Sequence, residues 1–197
     1  MSLPQRGEVS SRTSVEHFNQ LYSDAFDPWD YASSDYEQRK YRQTLDLLPA
    51  QTGRTLELGC SIGVFTQLLA PRCESLLAID FSPAAVDRAR QRLAAHSHVE
   101  IVCAALPEAT PPGPFDTIVC AELLYYWSPA LVVDGLRKSE AALAPGGSLL
   151  AVHWRGKDPR RELAGDDVHQ LLLDETRLRW QAGDQTPDYL IDLWSAE

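Results

Sequence analysis

Residues 54–63 read RTLELGCSIG, and 17 residues further on the segment LLAID ends at Asp80. The first stretch is an apolar run entering a glycine turn. The second is an apolar run that stops on a carboxylate. In an open α/β sheet this pairing is how a nucleoside is held: a tight backbone turn lies under the ligand and the acid takes the ribose hydroxyls. The spacing narrows the ligand further. A dinucleotide fingerprint needs G-x-G-x-x-G. This turn instead runs Glu57-Leu58-Gly59-Cys60-Ser61-Ile62-Gly63, with an acid two residues before the first glycine and small residues at alternate positions.

Strand and helix signals alternate outward from this turn. Residues 62–70 form a helix that Pro71 stops, and the run to Asp80 is a strand. Ser82-Pro83 opens a helix to about His96, with serine as N-cap and proline in the first turn. HVEIVC (98–103) is a strand. PEATPPGP (107–114) is a loop, because four prolines in eight residues cannot hold a helix. FDTIVC (115–120) is a strand, Ser128-Pro129 opens a helix ending near Ala144, and Pro145-Gly146-Gly147 turns into the strand SLLAVHW (148–154). Beyond a polar stretch, Asp166 or Asp167 caps a helix. RLRWQAG (177–183) and YLIDLWSAE (189–197) are then close enough for a hairpin. Such alternation predicts an α/β fold with a parallel sheet and right-handed crossovers, and the near-continuous apolar runs suit strands covered on both faces.

The chain has 197 residues, the length of one domain. Residues 1–13 read as a polar tail without the apolar region of a secretory signal, and 14–197 as a single domain. Within it, segment 14–49 carries Phe18, Tyr22, Phe26, Trp29, Tyr31, Tyr36 and Tyr41. Two helices, 14–22 and 35–48, are expected there, lying as a cap across the C-terminal edge of the sheet. No apolar run approaches the roughly 18 residues of a membrane span. A net charge of −10 without a basic cluster argues against nucleic acid, which selects basic faces. Cys60, Cys73, Cys103 and Cys120 lack metal or redox spacing, and Cys103 and Cys120 are expected to be buried. The expectation is a reduced, cytoplasmic protein, monomeric or a weak homodimer, without a metal site.

Further candidates lie at strand ends. Glu122 follows the fourth strand in CAELLYYW, at the position where ligands sit in such sheets. A lone carboxylate in an apolar and aromatic run either caps a local turn, acts as a general base, or anchors a substrate ammonium. Tyr125 and Tyr126 follow it, as acceptor-pocket or core residues. His153 ends the fifth strand as a second candidate for base or substrate contact. His169 falls on a helix, where an exposed face is expected.

The turn from Glu57 to Gly63, with Asp80, resembles motif I of class I S-adenosylmethionine methyltransferases. More specifically, Asp27-Pro28-Trp29, YEQRKY (36–41), LELGCSIGVFT, FDTIVCAELLYYW, LAPGGSLLAVHWR and GDDVHQLLL together resemble the nodulation protein S family over roughly residues 18–175. The resemblance implies a Rossmann-like seven-stranded sheet, mostly parallel with an antiparallel last strand, and S-adenosylmethionine as cofactor with S-adenosylhomocysteine as product. Gly59, Cys60, Ser61 and Gly63 would lie under its methionine part, with Asp80 on the ribose. Phe81 and Leu106 would lie against the adenine. Many methyltransferases bind the adenine amino group with an Asp after the third strand, but this chain reads Ala104-Ala105-Leu106 there and must use backbone. Trp29 would contact the cofactor from the cap; of Arg39 and Lys40 in the same segment, Arg39 would pair with the cofactor carboxylate because it can bind both oxygens, a solvated helix face being the alternative; and Glu122 would touch both cofactor and acceptor. The family's known member methylates the free amine of a de-N-acetylated chitooligosaccharide, so the implied acceptor is an oligosaccharide or small amine. O-methylation of a small molecule and S-adenosylmethionine binding without turnover are the alternatives.

Overall fold

The structure, a computed structural model, describes residues 15–197. The tail expected over 1–13 lies outside the described residues. Seven strands form one sheet: β1 (Gly53–Leu58), β2 (Cys73–Asp80), β3 (Val99–Cys103), β4 (Phe115–Ala121), β5 (Leu143–Trp154), β6 (Arg179–Gln185) and β7 (Tyr189–Ser195). Their order is β3-β2-β1-β4-β5-β7-β6. β1 to β5 run parallel, and β7 lies antiparallel between β5 and β6. This is the expected Rossmann-like, mostly parallel seven-stranded sheet, closed by the expected hairpin.

The period of two along each strand builds a core on either face. On one face Ala78, Val119, Leu150 and Val152 meet α2 (Asp35–Leu47), α3 (Val64–Leu69) and α4 (Pro83–Arg92) through Tyr41, Leu45, Phe65, Leu69, Val86 and Ala89. On the other, Leu56, Ile118, Leu149 and Ala151 meet α5 (Pro129–Ala142) and α6 (Gly165–Glu175) through Val132, Leu136, Val168 and Leu172. Each fully buried Val, Leu or Ile among them contributes about 1.5–3 kcal/mol relative to exposure. Burial on both faces is the reason the strands read as unbroken apolar runs. Both Ser-Pro starts form as expected: Ser82 Oγ accepts from the Ala85 N–H and Ser128 Oγ from the Leu131 N–H, with Pro83 and Pro129 in the first turn.

Several boundaries differ from expectation. The helix expected over 62–70 begins later, at Val64, and ends at Leu69 ahead of Pro71 as expected, with a 3-10 turn over Ala70–Arg72 accommodating the proline. α4 stops at Arg92 rather than His96. Pro145-Gly146-Gly147 sits within β5 as a register shift, with Leu143 opposite Phe115 and Ser148 opposite Thr117. The α6 cap is Ala164, whose N–H donates to Asp167 at 3.1 Å, while Asp166 pairs with Arg155 at 2.7 Å. Cys120 is buried, but Cys103 is exposed at the end of the edge strand β3. Among the described residues no helix is long and apolar enough to cross a membrane.

The strand order reverses between β1 and β4. Leu58 of β1 is level with Ile79 on one side and Cys120 on the other, so the glycine turn, Asp80 and Glu122 all emerge at the same edge. Helix α1 (Val15–Asp24) and α2 bring their side chains to that edge.

Candidate active site

The chain leaves β1 through three left-handed residues at alternate positions: Gly59 (φ 83°), Ser61 (φ 50°) and Gly63 (φ 76°). The Gly59 and Cys60 N–H groups both donate to the Ile79 carbonyl, at 2.8 and 3.1 Å, which ties the turn to β2. A side chain at Gly59 would meet Leu123 at 3.2 Å, so this turn packs tightly against the one that follows β4. Left-handed backbone at a non-glycine costs about 1–2 kcal/mol. At Ser61 two contacts oppose that cost: its N–H donates to Asp80 Oδ2 at 2.9 Å, and its hydroxyl bonds the Tyr22 hydroxyl of α1 at 2.6 Å. Cys60 is buried, and its carbonyl accepts the Gly63 N–H at 3.0 Å.

Asp80 is buried, and its other oxygen accepts the Ser82 N–H at 2.9 Å. Burial raises its carboxyl above the usual range, against the lowering effect of these backbone donors. Each oxygen has accepted one backbone N–H and keeps a lone pair for a further donor. Next to it, half-buried Phe81 meets Phe18 edge-on at 5.3 Å. Phe18 also touches Tyr126 at 5.2 Å and Trp29 at 6.2 Å, and Trp29 stacks on Tyr31 at 5.5 Å. The Ala104 N–H is used by the Asp80 carbonyl at 3.0 Å, Ala105 is exposed, and Leu106 packs half-buried against the second core.

Glu122 has a left-handed backbone (φ 54°), with its N–H held by the Val152 carbonyl at 2.9 Å. Its Oε1 accepts from Lys40 Nζ at 2.6 Å. Its Oε2 accepts from the Trp154 N–H at 3.1 Å and from the Tyr125 hydroxyl. Lys40, 2% exposed, also lies 3.0 Å from Glu37. Burial alone would raise the Glu122 carboxyl, but the Lys40 charge and these three donors outweigh it and hold it below the ordinary range. The same two carboxylates outweigh burial at Lys40 and raise its ammonium. Glu122 and Lys40 are therefore both charged at neutral pH.

Three expectations require correction. Arg39 is exposed, and its neighbour Lys40 is the cation that enters the site. Consecutive helical residues point about 100° apart, so only one of the two can face inward. His153 has no exposed surface: Nε2 accepts the Leu124 N–H at 3.2 Å and Nδ1 meets His169 Nε2 at 3.2 Å. Neither nitrogen is free to take a proton from an acceptor. Burial and the neighbouring His169, Arg161 and Lys40 push His153 well below its ordinary value, so it is neutral. His169 is itself buried, its Nδ1 2.6 Å from Asp192. Tyr125 is buried with its hydroxyl on Glu122, whereas Tyr126 keeps some exposure.

Sequence reasoning missed Arg161. Its guanidinium lies over the rings of Tyr125 at 3.8 Å, Trp154 at 4.5 Å and Tyr126 at 5.7 Å. No motif surrounds it, and only the fold of the loop that joins β5 to α6 brings it there.

A sequence model of the Nodulation protein S (NodS) family matches residues 12–151. The chain belongs to this family. The Nodulation protein S of Sinorhizobium fredii is 34% identical over 171 residues, covering 83% of this chain and 79% of that protein. The Rhizobium tropici protein of the same name is 32% identical over 180 residues, covering 85% and 74%. Among solved structures, the N-methyltransferase NodS from Bradyrhizobium japonicum WM9, in complex with S-adenosylhomocysteine, superposes with a TM-score of 0.80 at 25% identity, covering 92% of this chain and 98% of that one. A putative methyltransferase from Pseudomonas syringae is 40% identical with a TM-score of 0.72, covering 81% and 98%. This nodulation protein S family member is an S-adenosylmethionine-dependent methyltransferase of the class I fold.

Proposed function

We propose that the enzyme methylates an amine nitrogen on a small acceptor of the amino-sugar class, such as a de-N-acetylated chitooligosaccharide. The observation that carries this reading is the half-buried, ionised Glu122 carboxylate at the point where the strand order reverses, beside Tyr125 and Tyr36. The N-methyltransferase named for the Bradyrhizobium relative supports the same reading.

The residues at the first turn fit the cofactor. Asp80 has a lone pair left on each oxygen for the ribose hydroxyls, and the left-handed turn from Gly59 to Gly63 holds that carboxylate in place through the Ser61 N–H. Phe81 and Leu106 would flank the adenine, with Ala104 and Ala105 meeting its edge through backbone, and Trp29 closes the aromatic cap. When bound, S-adenosylmethionine supplies a methyl group on positively charged sulfur.

Glu122 then acts as a fixed charge rather than a base. Its lowered carboxyl pKa makes it a poor proton acceptor, and His153 is sealed away. The acceptor amine therefore sheds its proton to water before it is enclosed. As its lone pair attacks, positive charge develops on nitrogen, and the pre-oriented carboxylate stabilises that charge. The Tyr36 hydroxyl, buried without a hydrogen-bond partner, offers the acceptor a further bond. Four free cysteines fit a reduced, cytoplasmic setting.

Replacing Glu122 with Gln tests the assignment. Turnover of a glucosamine oligomer should fall about 10²-fold while affinity for S-adenosylhomocysteine, read by calorimetry, changes less than about twofold. Equal losses in both would contradict the role. In the wild-type enzyme kcat/KM should follow the acceptor amine alone between about pH 6 and 8, without an inflection that Glu122→Gln abolishes.

A further inference from the structure

We propose that His153, His169 and Asp192 form a buried positioning relay that fixes the turn carrying Glu122 and Tyr125, so that three residues remote from the acceptor set the geometry at which it is methylated. This rests on the reading that Glu122 faces the acceptor. Three successive residues of β5 hold that turn: the Val152 carbonyl takes the Glu122 N–H, His153 Nε2 takes the Leu124 N–H, and the Trp154 N–H binds the Glu122 carboxylate. His153 is the side chain of the three, and its ring also meets Tyr125 edge-on at 5.3 Å. The turn needs such anchoring because Glu122 is left-handed, a conformation a non-glycine keeps only when its surroundings impose it.

The proton positions along the relay admit one assignment. The Leu124 N–H is an obligatory donor, so His153 Nε2 is bare and its proton sits on Nδ1. That proton is donated to His169 Nε2, which is therefore bare, and His169 carries its own proton on Nδ1. Asp192 Oδ2 accepts it at 2.6 Å, while Oδ1 accepts the Trp180 indole N–H at 2.8 Å. Asp192, on β7, thus dictates the tautomer of two imidazoles and keeps an acceptor pointed at Leu124. A proton on the wrong nitrogen would set two donors face to face, and the turn would shift. His153 is 0% and His169 2% exposed, so neither touches the acceptor.

Two measurements test the relay. Nitrogen-resolved NMR of the histidine rings in the wild-type enzyme near neutral pH should show both His153 and His169 with the proton on Nδ1. A proton on Nε2 of either ring, or on both nitrogens, would overturn the assignment whatever the acceptor proves to be. Second, His169→Phe keeps the ring but removes its acceptor, whereas His169→Gln can still accept from His153. With a glucosamine oligomer as acceptor, His169→Phe should lose about tenfold or more in kcat, with KM for the oligomer and the Kd of S-adenosylhomocysteine within about twofold, and His169→Gln should recover most of the loss. Retained S-adenosylhomocysteine binding shows that a variant has folded. A folded His169→Phe enzyme with wild-type kcat would overturn the proposal. If neither wild type nor variant methylates the oligomer, the acceptor reading fails and the NMR result still decides the relay.

Discussion

The acid that opens the glycine turn, Glu57, is 1% exposed, and its Oε2 has no hydrogen-bond partner. Burial lifts its carboxyl to about 7. In the unfolded chain a glutamate titrates near 4.3, so between those values the folded chain binds more protons than the unfolded one. Stability from this group is complete below about pH 4 and is lost as the pH rises to about 7, a change worth about 4 kcal/mol. Glu57→Gln removes the titration without removing the side chain's shape. The variant should therefore have a higher urea midpoint than wild type at about pH 8 and little or no advantage at about pH 5. The same difference at both pH values would mean that Glu57 does not titrate in this window. The role of this residue was half legible from sequence: an acid before the turn is visible in LELG, but its desolvation depends on the sheet face it shares with α3, whose Thr66 lies beside it.

At the scale of elements, α2 is bound to the sheet by an ion pair as well as by apolar packing. Its buried residues are Glu37, Lys40, Tyr41, Thr44 and Leu45, spaced 3-1-3-1 as an inward helical stripe is. Two of the five are charged, so the stripe reads from sequence as a solvated face, and Arg39 stands out instead of Lys40. Positions of strands and helix starts were legible because proline, serine and apolar period act locally. The contacts of Lys40 with Glu122, of His153 with Leu124 and of Arg161 with Tyr125 were not, because each joins elements distant in the chain. Removing one member of a buried pair leaves the other uncompensated, at a cost of about 3–5 kcal/mol. Lys40→Met should lower stability by that amount, and adding Glu122→Gln should recover a large part of it, measured by urea unfolding of both single variants and the double. Strictly additive losses would show that Lys40 and Glu122 are not coupled.

For the whole molecule, one topological fact organises the chemistry. The reversal of strand order between β1 and β4 opens the edge where the glycine turn, Asp80 and Glu122 meet, and the N-terminal helices bring Tyr22 and Lys40 to it. The fold was readable from the alternation of strands and helices, and the glycine turn with its left-handed positions from its spacing. The surroundings of Glu122 were not, because Lys40 comes from α2, Tyr125 from the turn after β4 and Arg161 from the loop after β5, none of which carries a motif by itself. The most direct test is to incubate the enzyme with S-adenosylmethionine bearing an isotopically labelled methyl group and a fully de-N-acetylated chitooligosaccharide, and to locate the label by NMR. The account predicts label on the amine nitrogen. Label on a hydroxyl oxygen, or no transfer by an enzyme that binds S-adenosylhomocysteine, would contradict it.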